Sequence, residues 1–277
     1  MRRRTGSKPQ GGGRELIGLV PAAGLGSRLA PLPCSKEVFP VGFRSIGLDG
    51  PRPKAVAHYL LEKMANAGVR KAFIVLRDGK WDIPGYFGGG RLVGMDLAYL
   101  LMRRPYGVPF TLDDAYPFVR DADVVFGFPD ILFQPEDAFD ALIRKRGRTG
   151  ADLVVAVFPS LRPEYDDVIE LDAEGRIRRF EVRAADTDLR HTWLTATWGP
   201  AFTEFMHDFV ERVTPEVSST GGKWRGRELF MGDVLWAAVQ NGMQVEAVLF
   251  EEGSYVDIGT PEDLMAALRD IPKSAPP

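Results

Sequence analysis

The chain has 277 residues, 45% of them hydrophobic and 26% charged, with a net charge of -3 from 35 Lys and Arg against 38 Asp and Glu. That length and balance allow one large α/β domain or two small ones with a full core, and they exclude a general pull towards nucleic acid or an anionic membrane. A single cysteine, Cys34, excludes an intrachain disulfide and a multi-cysteine metal cluster, and no apolar run is long enough to span a bilayer; the reading is cytoplasmic.

Met1-Arg2-Arg3-Arg4 is followed by a polar, glycine-rich run without an apolar segment, so residues 1–13 read as a disordered tail and not as a secretory signal. Leu16-Ile17-Gly18-Leu19-Val20 reads as a buried strand. It runs into Pro21-Ala22-Ala23-Gly24-Leu25-Gly26-Ser27-Arg28-Leu29-Ala30-Pro31, with Lys36 and Pro40 beyond. Small residues let the backbone approach a ligand, and successive N–H groups in such a turn form an anion-binding concavity. Arg28 and Lys36 add positive charge, so the loop reads as a site for a nucleoside triphosphate.

A helix is expected over 54–67, with Val56, Leu60, Met64 and Ala67 on one face and Gly68 as its stop. A strand follows at 72–76, then a glycine-rich segment, a strand at 97–102, a turn at Tyr106-Gly107-Val108-Pro109 and a helix over 112–120. Asp123-Val124-Val125-Phe126 reads as a strand whose end, Gly127-Phe128-Pro129-Asp130, places Asp130 just past its carboxyl terminus. A helix over 135–148 and a strand over 152–158 come next. Segments 168–171, 177–182 and 193–198 read as an antiparallel group, with Asp172-Ala173-Glu174-Gly175 as a hairpin turn. Helices over 202–213 and 228–240 precede strands at 244–250 and 254–259. Thr260 then caps a helix with Pro261 at its first position and Glu262 and Asp263 in its first turn.

Strands alternating with helices predict an α/β fold: a doubly wound, mostly parallel sheet with helices on both faces, plus a small antiparallel part. The expected organisation is one domain over 14–270 with tails at 1–13 and 271–277. Trp193 and Trp198 read as core, Cys34 as an inert thiol, and His58, His191 and His207 as side chains outside any metal set.

The loop lacks the third small residue of the dinucleotide fingerprint and the Gly-Lys-Ser/Thr of the P-loop. What remains, a strand followed by Gly24-Leu25-Gly26-Ser27-Arg28-Leu29-Ala30-Pro31 and a lysine, closely resembles the signature of sugar-1-phosphate nucleotidylyltransferases. Lys54-Ala55 with the helix ending at Ala67-Gly68-Val69 resembles that family's second block, and Glu228 and Asp233 its late acidic helix. Tyr255-Val256-Asp257-Ile258-Gly259-Thr260-Pro261-Glu262 is similar to its closing Asp-x-Gly-Thr-Pro-Glu motif.

The resemblance implies transfer of a nucleotidyl group from an NTP, dTTP or UTP, to a sugar 1-phosphate such as glucose 1-phosphate, with Mg²⁺. It implies that Ala22, Ala23, Gly24, Leu25, Gly26 and Ser27 hold the nucleotide, with Met102 and Gly107 at the base. Arg28 and Lys36 would be catalytic, Glu181, Arg183 and Thr195 would meet the sugar phosphate, and Asp130 and Asp257 would hold the metal as hard oxygen ligands. The partners implied are the two small substrates, with no nucleic acid and no membrane; a homo-oligomer stays open. The chain also departs from the family's pattern. The arm from Arg28 to Lys36 is shorter, the metal motif has Phe128-Pro129 before its acid, Met102 stands at a base-reading Gln, and Glu181-Val182-Arg183 stands for Glu-Lys-Pro. Two other readings are a cytidylyltransferase for a phosphorylated alcohol or choline, and a non-catalytic subunit that binds sugar nucleotides.

Overall fold

The chain enters through β1 (Leu16–Ala22), and the computed structural model describes residues 14–45, 50–184, 186–219 and 228–270. The tails expected at 1–13 and 271–277 lie outside the described residues. In order follow β2 (Pro40–Ser45), β3 (Pro51–Ala55), α1 (Val56–Asn66), β4 (Lys71–Leu76), α2 (Asp82–Phe87) and β5 (Asp96–Leu101). Then come α3 (Val108–Asp113), α4 (Tyr116–Val119), β6 (Asp123–Gly127), β7 (Ile131–Gln134), α5 (Ala138–Thr149), β8 (Leu153–Pro159), β9 (Asp167–Leu171), β10 (Ile177–Val182) and β11 (His191–Trp198). The chain closes with α6 (Pro200–Ser219), α7 (Met231–Gln240), β12 (Val245–Leu249), β13 (Ser254–Asp257) and α8 (Pro261–Asp270).

Alternation along β1 sets the layers. Ile17 and Leu19 join one buried cluster with Leu112, Phe202 and Leu235, while Val20 and Ala22 join another with Leu60, Met64, Phe87 and Phe139. Successive side chains of a strand face opposite ways, so a strand apolar at every position needs helices on both faces. Helices α3, α6 and α7 supply one layer and α1, α2 and α5 the other. Each fully buried aliphatic or aromatic side chain there contributes about 1.5–3 kcal/mol.

The main sheet runs β10-β9-β11-β6-β1-β4-β5, with β8 beside β11 and β12 beside β8. Strands β6, β1, β4 and β5 are parallel neighbours. The expected antiparallel group exists, but it is part of the main sheet, because β11 pairs antiparallel with β6, β8 and β9. Buried threonines suit that junction: Thr197 donates to the Val124 carbonyl at 2.9 Å and Thr192 to that of Asp167 at 2.9 Å. A hydroxyl so satisfied is tolerated in a core.

The helix expected over 112–120 is instead two short helices, α3 and α4, separated at Asp114-Ala115. Two other boundaries shift for local reasons. Helix α1 starts at Val56 and not at Lys54, because 51–55 pair with β2 as a proline-bearing edge hairpin. Helix α7 starts at Met231 and not at Glu228, where the Asp233 carboxylate accepts the Phe230 N–H at 2.9 Å and caps the first turn. Thr260 caps α8 as expected: its hydroxyl donates to Asp263 at 2.7 Å and accepts the Asp263 N–H at 3.3 Å. Among the described residues no helix is long and apolar enough to cross a membrane.

Candidate active site

The carboxyl ends of β1, β4 and β6 open onto one cleft of ≈ 710 Å³, within the usual range for a ligand site. Ligands of open α/β sheets bind outside these strand ends. Ala23, Gly24, Leu25, Gly26, Ser27 and Arg28 all line it. Gly26 has φ 64, a left-handed conformation that suits glycine, and its carbonyl accepts the Leu29 N–H at 3.0 Å to close a short turn. Leu29 is buried with Val41, Val56 and Ile258, which anchors the loop.

Lys36 lines the same cleft and pairs with Asp130. The short arm from Arg28 is held in place by two contacts with the segment after β4. The Ser35 N–H and hydroxyl donate to Asp82 at 2.6 and 2.7 Å. Glu37, 1% exposed, accepts from Lys80 at 2.7 and 2.8 Å. Burial pushes the Lys36 pKa down, but the carboxylates of Asp130, Glu37 and Asp257 outweigh it, so the net shift is upward and the side chain stays an ammonium.

Strands β7 and β13 bring the two expected metal ligands together. Asp257 pairs with Ile131, and the Ile258 N–H donates to the Asp130 carbonyl at 2.9 Å. Burial first, and then the Asp130 charge, push the Asp257 pKa up to about 6 against the pull of Lys36 and Arg28. A Cβ at Gly259 would stand 2.8 Å from Arg28 Nη2 and 3.3 Å from each Asp257 carboxylate oxygen, so these groups converge over a residue that must be small. Two adjacent carboxylates, with Asp257 destabilised as an anion by burial and by its neighbour's charge, are hard oxygen donors that a divalent cation would relieve, and they fit Mg²⁺. Elsewhere, Asp113, His207 and Glu211 have ligand atoms within 4.8 Å of one another, but Arg104 already pairs with Asp113 at 2.6 Å and Glu211 at 3.0 Å.

The cleft has two flanks. On the β4–β5 side lie Arg77, Met102, Tyr106 and Gly107. Arg77 was not singled out in the sequence; its Nε donates to the Ala23 carbonyl at 3.0 Å and braces the loop. On the β9–β11 side lie Phe128, Asp166, Asp167, Arg183 and Trp193. Arg183 has φ 48, and its guanidinium sits 3.9 Å over the Phe230 ring. A non-glycine residue held so is costly, and such residues cluster at functional sites. Of this flank the sequence resemblance pointed to Arg183, while Asp166 and Asp167 belong to no motif.

Three expected contacts fall outside the cleft lining. Ala22 is 1% exposed within β1. Glu181 turns to Arg179 at 2.6 Å. Thr195 is buried, its hydroxyl donated to the Phe126 carbonyl across the β11–β6 pairing. Trp198 is core as expected, whereas Trp193 is 4% exposed and also part of the cleft wall. The Cys34 thiol pKa is pushed up by burial and then by Asp82 and Glu37, which suits an unreactive thiol.

A glycine-rich loop at the end of a parallel strand, a paired lysine and two adjacent carboxylates thus share one cleft of an α/β fold. The nucleotidyl transferase family model matches residues 17–274, and the chain belongs to that family. A glucose-1-phosphate thymidylyltransferase of Streptomyces antibioticus is 27% identical over 259 residues, 91% of this chain and 65% of its own length. A low-salt glycan biosynthesis nucleotidyltransferase of Haloferax volcanii is 24% identical over 254 residues, 90% of this chain and 64% of its own. The chain thus spans just under two thirds of the length of these relatives. A solved Bacillus anthracis structure, assigned as a glucose-1-phosphate thymidylyltransferase and holding sucrose, shares the fold with a TM-score of 0.76 at 19% identity, over 92% of this chain and 96% of that one.

Proposed function

We propose that this chain transfers a nucleotidyl group from an NTP to a sugar 1-phosphate and releases pyrophosphate, with dTTP or UTP and glucose 1-phosphate as the leading pair. The observation that carries the reading is the convergence of the 24–28 loop, Lys36, Asp130 and Asp257 in one cleft. The name of the Streptomyces relative supports the substrate pair.

Two anions must meet for this reaction, so positive charge and fixed donors do most of the work. The loop N–H groups hold the triphosphate. Arg28 neutralises the departing pyrophosphate. Lys36, kept charged by Asp130, bridges the α-phosphate and the incoming phosphate. An oxygen of the sugar phosphate bonds to the α-phosphorus as the bond to the β-bridging oxygen breaks, and the electron pair leaves on pyrophosphate. The attacking oxygen is already ionised, so no side chain needs to act as base. Asp130 and Asp257 would hold a divalent cation, which when bound stabilises charge on the α-phosphate.

The test is pyrophosphate release over a grid of NTPs and sugar 1-phosphates with Mg²⁺. The NTP axis covers every common base, since the Met102 thioether offers only a weak acceptor to a base edge. The expected result is release for at least one pair; a folded protein that releases none across the grid contradicts the proposal.

A further inference from the structure

Strand order separates the cleft into two ends. β1 and its loop lie between β4–β5 on one side and β6, β11 and β9 on the other. With the triphosphate on the β1 loop, the wall built from β9 and β11 faces whatever the nucleotide does not fill. That wall holds a carboxylate with unspent hydrogen-bonding capacity. Asp167 opens β9, opposite Val182 of β10, and lines the cleft. Its Oδ1 is buried and has no hydrogen-bond partner; the Trp193 indole N–H faces the carboxylate without reaching hydrogen-bond geometry. A buried acceptor left unpaired is costly, so it persists where something else rewards it.

The surroundings are arranged around that carboxylate. A Cβ at Gly232 of α7 would fall 2.5 Å from Asp167 Oδ2, so the absence of a side chain there makes its room. Its neighbour Asp166 is already used, accepting from Ser160 at 2.6 Å and Tyr255 at 2.5 Å. Glu181, the acid that the resemblance assigns to the sugar phosphate, is spent on Arg179. Arg183 is the nearby cation and is itself stacked on Phe230.

We infer that Asp167 determines acceptor specificity, accepting hydrogen bonds from ring donors of the sugar phosphate, whether hydroxyl or ammonium. This rests on the nucleotidyl-transfer reading above. The carboxylate takes the place of Glu181 in this chain and prefers acceptors with free donors on the ring edge away from the phosphate.

The experiment is steady-state kinetics of the full chain with its best substrate pair, comparing wild type with Asp167→Asn, which keeps shape and one acceptor oxygen. The expected result is a KM for the sugar phosphate raised about tenfold or more, the range of a lost hydrogen bond to a charged group, with the KM for the NTP unchanged. Exposed Glu170→Gln, on the same strand, serves as the reference variant with both constants unchanged. A series of monodeoxy sugar 1-phosphates then finds the donor: one deoxy analogue should be discriminated by wild type and not by Asp167→Asn. Glucose 1-phosphate against glucosamine 1-phosphate tells hydroxyl from ammonium. Equal KM changes for both substrates, or a loss in kcat alone, mark a structural role and overturn the inference. If Asp167→Asn fails to fold, the wild-type series decides, and indifference to every deoxy analogue overturns it. A wild type that releases no pyrophosphate with any pair is a separate result, which removes the nucleotidyl-transfer reading and this inference with it.

Discussion

The two flanks of the cleft are built in opposite ways. The phosphate side is nearly contiguous in sequence: residues 24–28 lie on one loop, and Lys36 follows a short arm. The acceptor side is assembled from Phe128, Asp167, Arg183 and Trp193, which four separate segments deliver because β11 enters the parallel sheet antiparallel. The 24–28 loop of the first is shaped by local backbone conformation, with Lys36 clamped from outside, whereas the second depends on tertiary pairing throughout. The contrast predicts where substitutions act: on the phosphate side they alter kcat, and on the acceptor side they alter the KM of one substrate.

Lys36→Ala tests the phosphate side most severely. It removes the ammonium and leaves Asp130 beside Asp257 with one less counter-charge. The expected loss in kcat is about 10²–10³-fold, the range for deleting one preorganised electrostatic donor. A loss confined to the KM of the sugar phosphate would move Lys36 to the acceptor side and break the comparison.

Lys80→Ala asks whether the short arm is held from outside the cleft. It leaves the Glu37 carboxylate buried without its cation. The expected destabilisation is about 3–5 kcal/mol by urea unfolding, as for other broken buried pairs. Because Glu37 is next to Lys36, kcat should also fall in the molecules that remain folded. Normal stability would show that the pair is dispensable and that the arm needs no such clamp.

Asp257→Asn gives the smallest effect on stability of the three, and its sign is favourable. The Asp257 pKa is about 6 in the fold against an ordinary 3.8, so between those values the native state keeps a proton that the unfolded chain has lost. Stability from this group is therefore present at low pH and lost as pH rises from about 4 to about 6. At pH 7.5 the ionised carboxylate costs up to about 3 kcal/mol at roughly 1.4 kcal/mol per pKa unit. Without metal, Asp257→Asn should melt several degrees above wild type at pH 7.5, with the gap closing towards pH 4, while transfer activity is lost. A melting temperature below wild type at pH 7.5 would mean that Asp257 is paired for stability and not strained for function.

What could be read in the sequence follows the same division. The layered α/β sheet was legible because β1, β4 and β6 are short apolar runs separated by helical periodicity. The 24–28 loop and the Asp257 turn were legible because each is a local motif, and the structure brings them together beside Gly259, where Arg28 Nη2 and the Asp257 carboxylate both stand. What holds the shortened arm was not legible, since the Ser35–Asp82 and Glu37–Lys80 contacts join residues more than 40 positions apart. Asp167 carried no motif at all. Glu181 and Thr195 sit on strands whose pairing turns one towards Arg179 and the other towards a carbonyl of β6, and no local pattern reports which way a strand residue faces in a mixed sheet. Arg77 became visible only through its bond to the loop it braces.

The most direct measurement is phosphorus NMR of the full chain with Mg²⁺, the best NTP and its sugar 1-phosphate. The account predicts that the NTP and sugar phosphate signals are replaced by those of pyrophosphate and a sugar nucleotide in equal amounts. Orthophosphate with a nucleoside diphosphate, or unchanged spectra with folded protein, would contradict it.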